Sequence, residues 1–107
     1  MHATEKTVWF AALAQEARRD LVFAWNVARG SFGGPKQQEE VQPALFVEAV
    51  EHLLAAGCST GFGNPDSDEW KDLPCMSKSI EEKAKLIAEM WASNRREYEF
   101  LVFAIRS

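Results

Sequence analysis

One tetrapeptide, Leu-Val-Phe-Ala, occurs twice in the chain, and the reading of its two copies decides the fold. The first lies in ARRDLVFAWNVARG and the second in NRREYEFLVFAIRS, each after a pair of arginines. Val and Phe favour strands while Leu and Ala favour helices, so the letters alone permit both. Context separates the copies. Around the first, Phe10, Leu13, Ala17, Leu21, Ala24 and Ala28 recur every three or four residues. That spacing predicts helix over residues 4–29, either one helix or two bent near Arg18-Arg19-Asp20. Trp9 and Trp25 flank the stripe, and Glu16, Arg19 and Asn26 fall on its far side. The second copy ends an alternating run in which Tyr98, Phe100, Val102 and Ala104 face away from Glu99, Leu101, Phe103 and Ile105. It predicts a strand over 98–105, apolar on both faces toward its end. A four-residue match with divergent flanks sets no structural period, so the copies are expected to be different structures rather than a repeat.

Between them the chain is punctuated. GSFGGPKQQEEVQ breaks all periodicity and reads as a flexible loop near 30–42. Its glycines do not fit a phosphate-binding loop, lacking both the Lys-Ser/Thr pair and the GxGxxG spacing. Pro43 then opens a helix over 43–56, with Leu45, Phe46, Ala49, Val50, Leu53 and Leu54 as its apolar face and Gly57 as its stop. Cys58, Thr60 and Phe62 alternate as a short strand. Ser79 and Glu82 form a capping-box signal for a helix over 79–93, whose core stripe is Ile80, Ala84, Ile87 and Trp91. The expected fold is α+β: a single domain over 1–107 with about four helices. Its sheet is small, two or three strands including the C-terminal one, and pairs 58–62 with 98–105 in either direction. Trp25 and Trp91, on apolar stripes, are expected to be buried with their indole N–H groups bonded.

A chain of 107 residues with four Trp and seven Phe has the length and the large side chains for one core. Its two cysteines, Cys58 and Cys75, have no metal-ligand spacing. The start of the sequence lacks the basic and apolar regions of a secretion signal, and no apolar run is long enough for a membrane span. The expected setting is cytoplasmic, with reduced thiols and no membrane. The net charge of −4 is concentrated centrally, where Lys36 and Lys71 stand against eight carboxylates between Glu39 and Asp72. An acidic centre repels phosphate backbones and attracts basic partners, although solvated loops and helix faces account for most such clusters.

No catalytic signature or cofactor motif emerges. His52 lies off the apolar stripe with no second histidine at a telling distance. Asn64, Asp66 and Asp68 alternate like the start of a calcium loop, but Glu69 replaces the turn glycine and Cys75 the bidentate Glu; Asx-turns and a cap explain the segment better. Among the polar groups His52, Cys58, Asp66, Asp68 and Tyr98, no two form a nucleophile–base pair by spacing. The segment HLLAAGCSTGFGNPDSDEW, followed by a helix and YEFLVFAIRS, resembles small uncharacterised bacterial domains encoded beside toxins or on mobile gene cassettes. The resemblance covers roughly the C-terminal two-thirds of the chain. It implies a binding role such as toxin neutralisation and carries over no site residues.

Three function classes follow. The first is a non-catalytic interaction module, an immunity-type inhibitor of a basic protein toxin or a self-associating protein. Its contact face is Glu48 and Glu51, three residues apart on one helix, extended by Asp66, Asp68 and Glu69. The second is a winged-helix-like DNA-binding regulator using Arg18, Arg19, Arg95 and Arg96, which the net charge disfavours. The third is a small enzyme or ligand-binding domain.

Overall fold

The first Leu-Val-Phe-Ala is extended up to its alanine. In the computed structural model, which describes residues 3–35, 40–73 and 79–105, helix α1 (Ala3–Arg19) stops before it. Val22 and Phe23 form strand β1, and Ala24 opens a short helix α2 (Ala24–Ala28). The chain continues through α3 (Pro43–Ala55), β2 (Ser59–Phe62), β3 (Lys71–Asp72), α4 (Ile80–Ser93), α5 (Arg95–Tyr98) and β4 (Val102–Ala104). The four strands form one antiparallel sheet in the order β1-β4-β2-β3.

The two copies pair with each other. Val22 stands opposite Phe103 and Phe23 opposite Val102, and the Ala24 N–H donates to the Leu101 carbonyl at 2.8 Å. Identical tetrapeptides lie antiparallel and fully in register. This overturns the helical expectation for 21–23, and the reason is tertiary. Val and Phe extend readily, and a matching strand supplies the ladder. Helical spacing of small alanines is satisfied equally by a strand that enters a helix at Ala24. Asn26, expected on the polar side, is buried and makes the junction: its Oδ1 accepts the Phe23 N–H at 3.0 Å.

The closing segment is also corrected. Residues 95–98 are helix α5, so the strand expected over 98–105 shortens to 102–104. Asn94 caps that helix, its side chain accepting the Glu97 N–H at 3.3 Å and donating to the Glu97 carboxylate at 2.7 Å. Strand β4 is central, paired to β1 on one side and to β2 on the other through Ser59–Ala104, Thr60–Phe103 and Gly61–Val102. Pairing of the last strand with 58–62 is therefore present and antiparallel. The described chain holds five helices and four strands, against about four and two or three expected.

Helices and sheet meet in one core. Trp9, Leu13 and Ala17 of α1, Ala49, Val50 and Leu53 of α3, and Ala84 and Ile87 of α4 pack with Val22 and Phe103 from one sheet face. Each fully buried Leu, Ile, Val or Phe side chain contributes about 1.5–3 kcal/mol by leaving water. Trp91 is buried, stacks on Phe46 with ring centroids 6.1 Å apart, and donates its indole N–H to Glu40 at 3.3 Å. Trp25 is only half-buried, and Ile80, placed on the core stripe, is 40% exposed at the helix mouth.

Among the described residues, no helix of that core covers the sheet's other face. Val102 and Ala104 are buried without joining the core. Aromatic rings gather beside Val102: Phe23 stands opposite it, Phe100 meets Phe23 edge-on at 5.8 Å, and Trp70 lies over Gly61, the partner of Val102 on β2. A Cβ at Gly61 would collide with the Lys71 carbonyl oxygen on β3 and sit 2.8 Å from the Trp70 ring, so glycine is required there. The described ends of the 30–42 segment are tied down. Gly34 packs against Trp9, whose indole N–H donates to the Ser31 carbonyl at 2.8 Å, and the Val41 N–H donates to the Ala28 carbonyl at 2.7 Å. Residues 36–39 of that segment lie outside the described residues. Among the described residues, no helix is long and apolar enough to cross a membrane.

Candidate functional site

The carboxylates singled out in the sequence fall into two groups. Glu48 and Glu51 line a shallow groove between α1 and α3. Glu48 is already engaged there, paired to Lys6 at 3.1 Å, and His52 at the same groove packs its ring 5.5 Å from Phe10. Asp66, Asp68 and Glu69 lie instead on the turn between β2 and β3, and none of the three lines that groove.

The β2–β3 turn is built from its own side chains. Asn64 Oδ1 accepts the Asp66 N–H at 2.9 Å, an Asx-turn. The Ser67 hydroxyl donates to the Asn64 carbonyl at 3.1 Å and accepts the Glu69 N–H at 3.2 Å. The Ser67 N–H also donates to the Asn64 carbonyl, at 3.0 Å. Trp70 then anchors the turn to the strand, its indole N–H donating to Asp72 Oδ1 at 2.7 Å. These bonds use the backbone of Asp66 and Glu69 and leave their carboxylates outward. Asp66, Asp68 and Glu69 are all exposed, and among the described residues no ion pair neutralises any of them. Among the described residues no three His, Cys, Asp or Glu groups converge as a metal site.

Nor do the candidate catalytic groups meet. Among the described residues, no hydrogen bond or ion pair joins any two of His52, Cys58, Asp66, Asp68 and Tyr98. Tyr98 packs on Phe62, and burial pushes the Cys58 thiol up to about 12 despite the opposing field of Arg18. A thiol so raised stays protonated at neutral pH and is a poor nucleophile. Cys75 lies outside the described residues.

A second feature was not legible in the linear sequence. A cleft of about 490 Å³ opens where the end of α2 meets the junction of α4 and α5. Trp25 and Trp91 contribute its aromatic walls, and Arg29, Arg95 and Arg96 surround them. Glu40 pairs with Arg95 and accepts the Trp91 indole N–H, while the Arg95 guanidinium lies 6.0 Å from the Trp91 ring centre. Pairing of the twin tetrapeptides assembles this cleft. In an antiparallel pair, residues following the first copy (Trp25, Arg29) lie beside those preceding the second (Arg95, Arg96, Glu99). The arginine pair before the second copy was visible; its meeting with Trp25 required the first copy to be a strand.

No family model, curated protein or solved structure matches this chain.

Proposed function

We propose that this chain is a non-catalytic protein-interaction module that presents the acidic β2–β3 turn to a basic protein partner, in the manner of an immunity-type inhibitor. The observation that carries the reading is the state of Asp66, Asp68 and Glu69: three carboxylates, unpaired among the described residues, on a turn held rigid by Asn64 and Ser67. A pre-ordered turn loses little entropy on docking, and unneutralised charge steers a basic surface toward it. The resemblance to bacterial domains encoded beside toxins supports a toxin as that partner. Glu51 and the Lys6-paired Glu48 form a separate, weaker acidic patch in this proposal. A DNA-binding role has less support, because Arg19 is paired to Glu16 and Arg95 to Glu40, which leaves fewer free cations for phosphates.

The test begins with recovery of the partner from the native host by affinity capture, followed by stopped-flow association. Asp66→Lys combined with Glu69→Lys is expected to slow association by on the order of tenfold at low salt. Folding should be unchanged, because neither carboxylate holds the turn. Association at the wild-type rate, with wild-type salt dependence, would remove the acidic turn from the interface.

A further inference from the structure

We propose a small-molecule site independent of the acidic turn: the cleft beside Trp25 binds an aromatic carboxylate. Its ring stacks on Trp25 and its carboxylate is held by Arg29 and Arg96. The cleft has a volume in the range of small-ligand pockets, which run from about 300 to about 1,000 Å³. Its floor is preorganised. Glu40 fixes both Arg95 and the Trp91 indole N–H, Phe46 stacks on Trp91, and Arg95 lies over that ring at 6.0 Å. Trp91 and Arg95 are thereby committed to the protein.

The other two arginines are not, and Trp25 is engaged, among the described residues, on one side only, by Phe23. Phe23 stacks on Trp25 at an interplanar angle of 12°, and Trp25, half-buried, also lines the cleft. Arg29 follows it by one helical turn, its N–H donating to the Trp25 carbonyl at 3.0 Å, so both project from one side of α2. Arg96 approaches from α5. Among the described residues neither Arg29 nor Arg96 enters an ion pair. Two free guanidinium groups beside an aromatic wall suit a planar oxyanion attached to a ring, since each fork matches a carboxylate in two hydrogen bonds.

Charge selects the anion. The lining carries three arginines against Glu40 and Glu99, a small positive excess within a chain of net charge −4. One negative charge is matched by that excess. A dianionic phosphate would leave one negative charge unmatched.

The experiment is a titration of the uniformly labelled full chain with 2-naphthoate, read on the Trp25 indole N–H resonance, which a Trp25→Phe variant identifies by its loss. Saturable shifts confined to the cleft are expected. Acetate, lacking the ring, and 2-naphthamide, lacking the charge, should each bind at least about tenfold more weakly, the first by loss of the stacking contact and the second by loss of roughly one charge-assisted hydrogen bond. Arg29→Gln combined with Arg96→Gln should weaken 2-naphthoate by at least as much and leave the unfolding midpoint in place. Arg19→Gln, outside the cleft, should change nothing. Absence of a saturable Trp25 shift overturns the proposal. So does equal binding of 2-naphthamide, or undiminished binding by the double arginine variant. None of these outcomes bears on the acidic turn, whose residues do not line the cleft.

Discussion

Asn26 shows how much one side chain decides. It sits in a run that reads as helix, and a polar residue at that spacing is ordinarily assigned to the solvated face. In the fold its amide is buried, accepts the Phe23 N–H at the end of β1, and approaches the Ser31 hydroxyl at 3.4 Å. Nothing in the local sequence distinguishes an outward Asn from one that ends a strand, because the difference lies in β4, far away in the chain. Trp91 was legible for the opposite reason. Its helix is strongly amphipathic, so its burial follows from spacing, and the Glu40 acceptor follows from the cost of an unbonded indole N–H. Cys58 yields a prediction at this scale. Burial raises its folded-state value from 9.0 to about 12. Below 9.0 the thiol is protonated in both states and its stabilising effect is complete. Above 9.0 the unfolded chain ionises first, so that contribution falls as pH rises toward about 12. Cys58→Ala should therefore lose less stability than wild type on alkaline titration, measured by urea unfolding across that range. Parallel losses would show that the thiol ionises alike in both states.

Among the elements, α3 and α4 were read almost to the residue: 43–56 against Pro43–Ala55, and 79–93 against Ile80–Ser93 with Ser79 as cap. Both have local start signals, a proline at the first position and a serine three residues before a glutamate. The same kind of signal, Asn94 followed by Glu97, opens α5. The alternation of aromatics after it predicts a longer strand than the fold contains, because α5 takes up residues 95–98. Phe100 and Phe103 now test the revised boundary. Phe103 is fully buried opposite Val22 and Thr60, whereas Phe100 is 58% exposed on the turn that precedes β4. Phe103→Ala should cost about 3–5 kcal/mol, with Phe100→Ala costing far less, both read from denaturation midpoints. Equal losses would mean that the strand runs through residue 100 as first expected.

For the whole molecule, fold class followed from the pattern of helices and short strands, while topology did not. A sheet ordered β1-β4-β2-β3 needs a strand from near each end of the described chain, and the N-terminal one is only two residues long. Such a strand has no periodicity to detect; it exists because β4 lies beside it. The same pairing brings Trp25 and Arg29 to Arg95 and Arg96, so the cleft was as hidden in the sequence as the strand that makes it. The acidic turn was visible because residues 64–69 carry their own turn chemistry and charge. Pairing of the two Leu-Val-Phe-Ala segments is thus the claim on which both the sheet and the cleft rest. Ala24 and Leu101 share a ladder hydrogen bond, so Phe23 and Val102, the next pair, belong to the class with closer side chains. Cysteines at such a pair have the Cα separation a disulfide requires. The decisive measurement is oxidation of a Phe23→Cys, Val102→Cys variant with Cys58 and Cys75 replaced by serine, analysed as monomer by mass spectrometry. Ready formation of the intramolecular disulfide there, and little in the one-residue slip Phe23→Cys, Phe103→Cys, is the predicted result. Crosslinking in the slipped variant alone, or in neither, would contradict the pairing of the two copies.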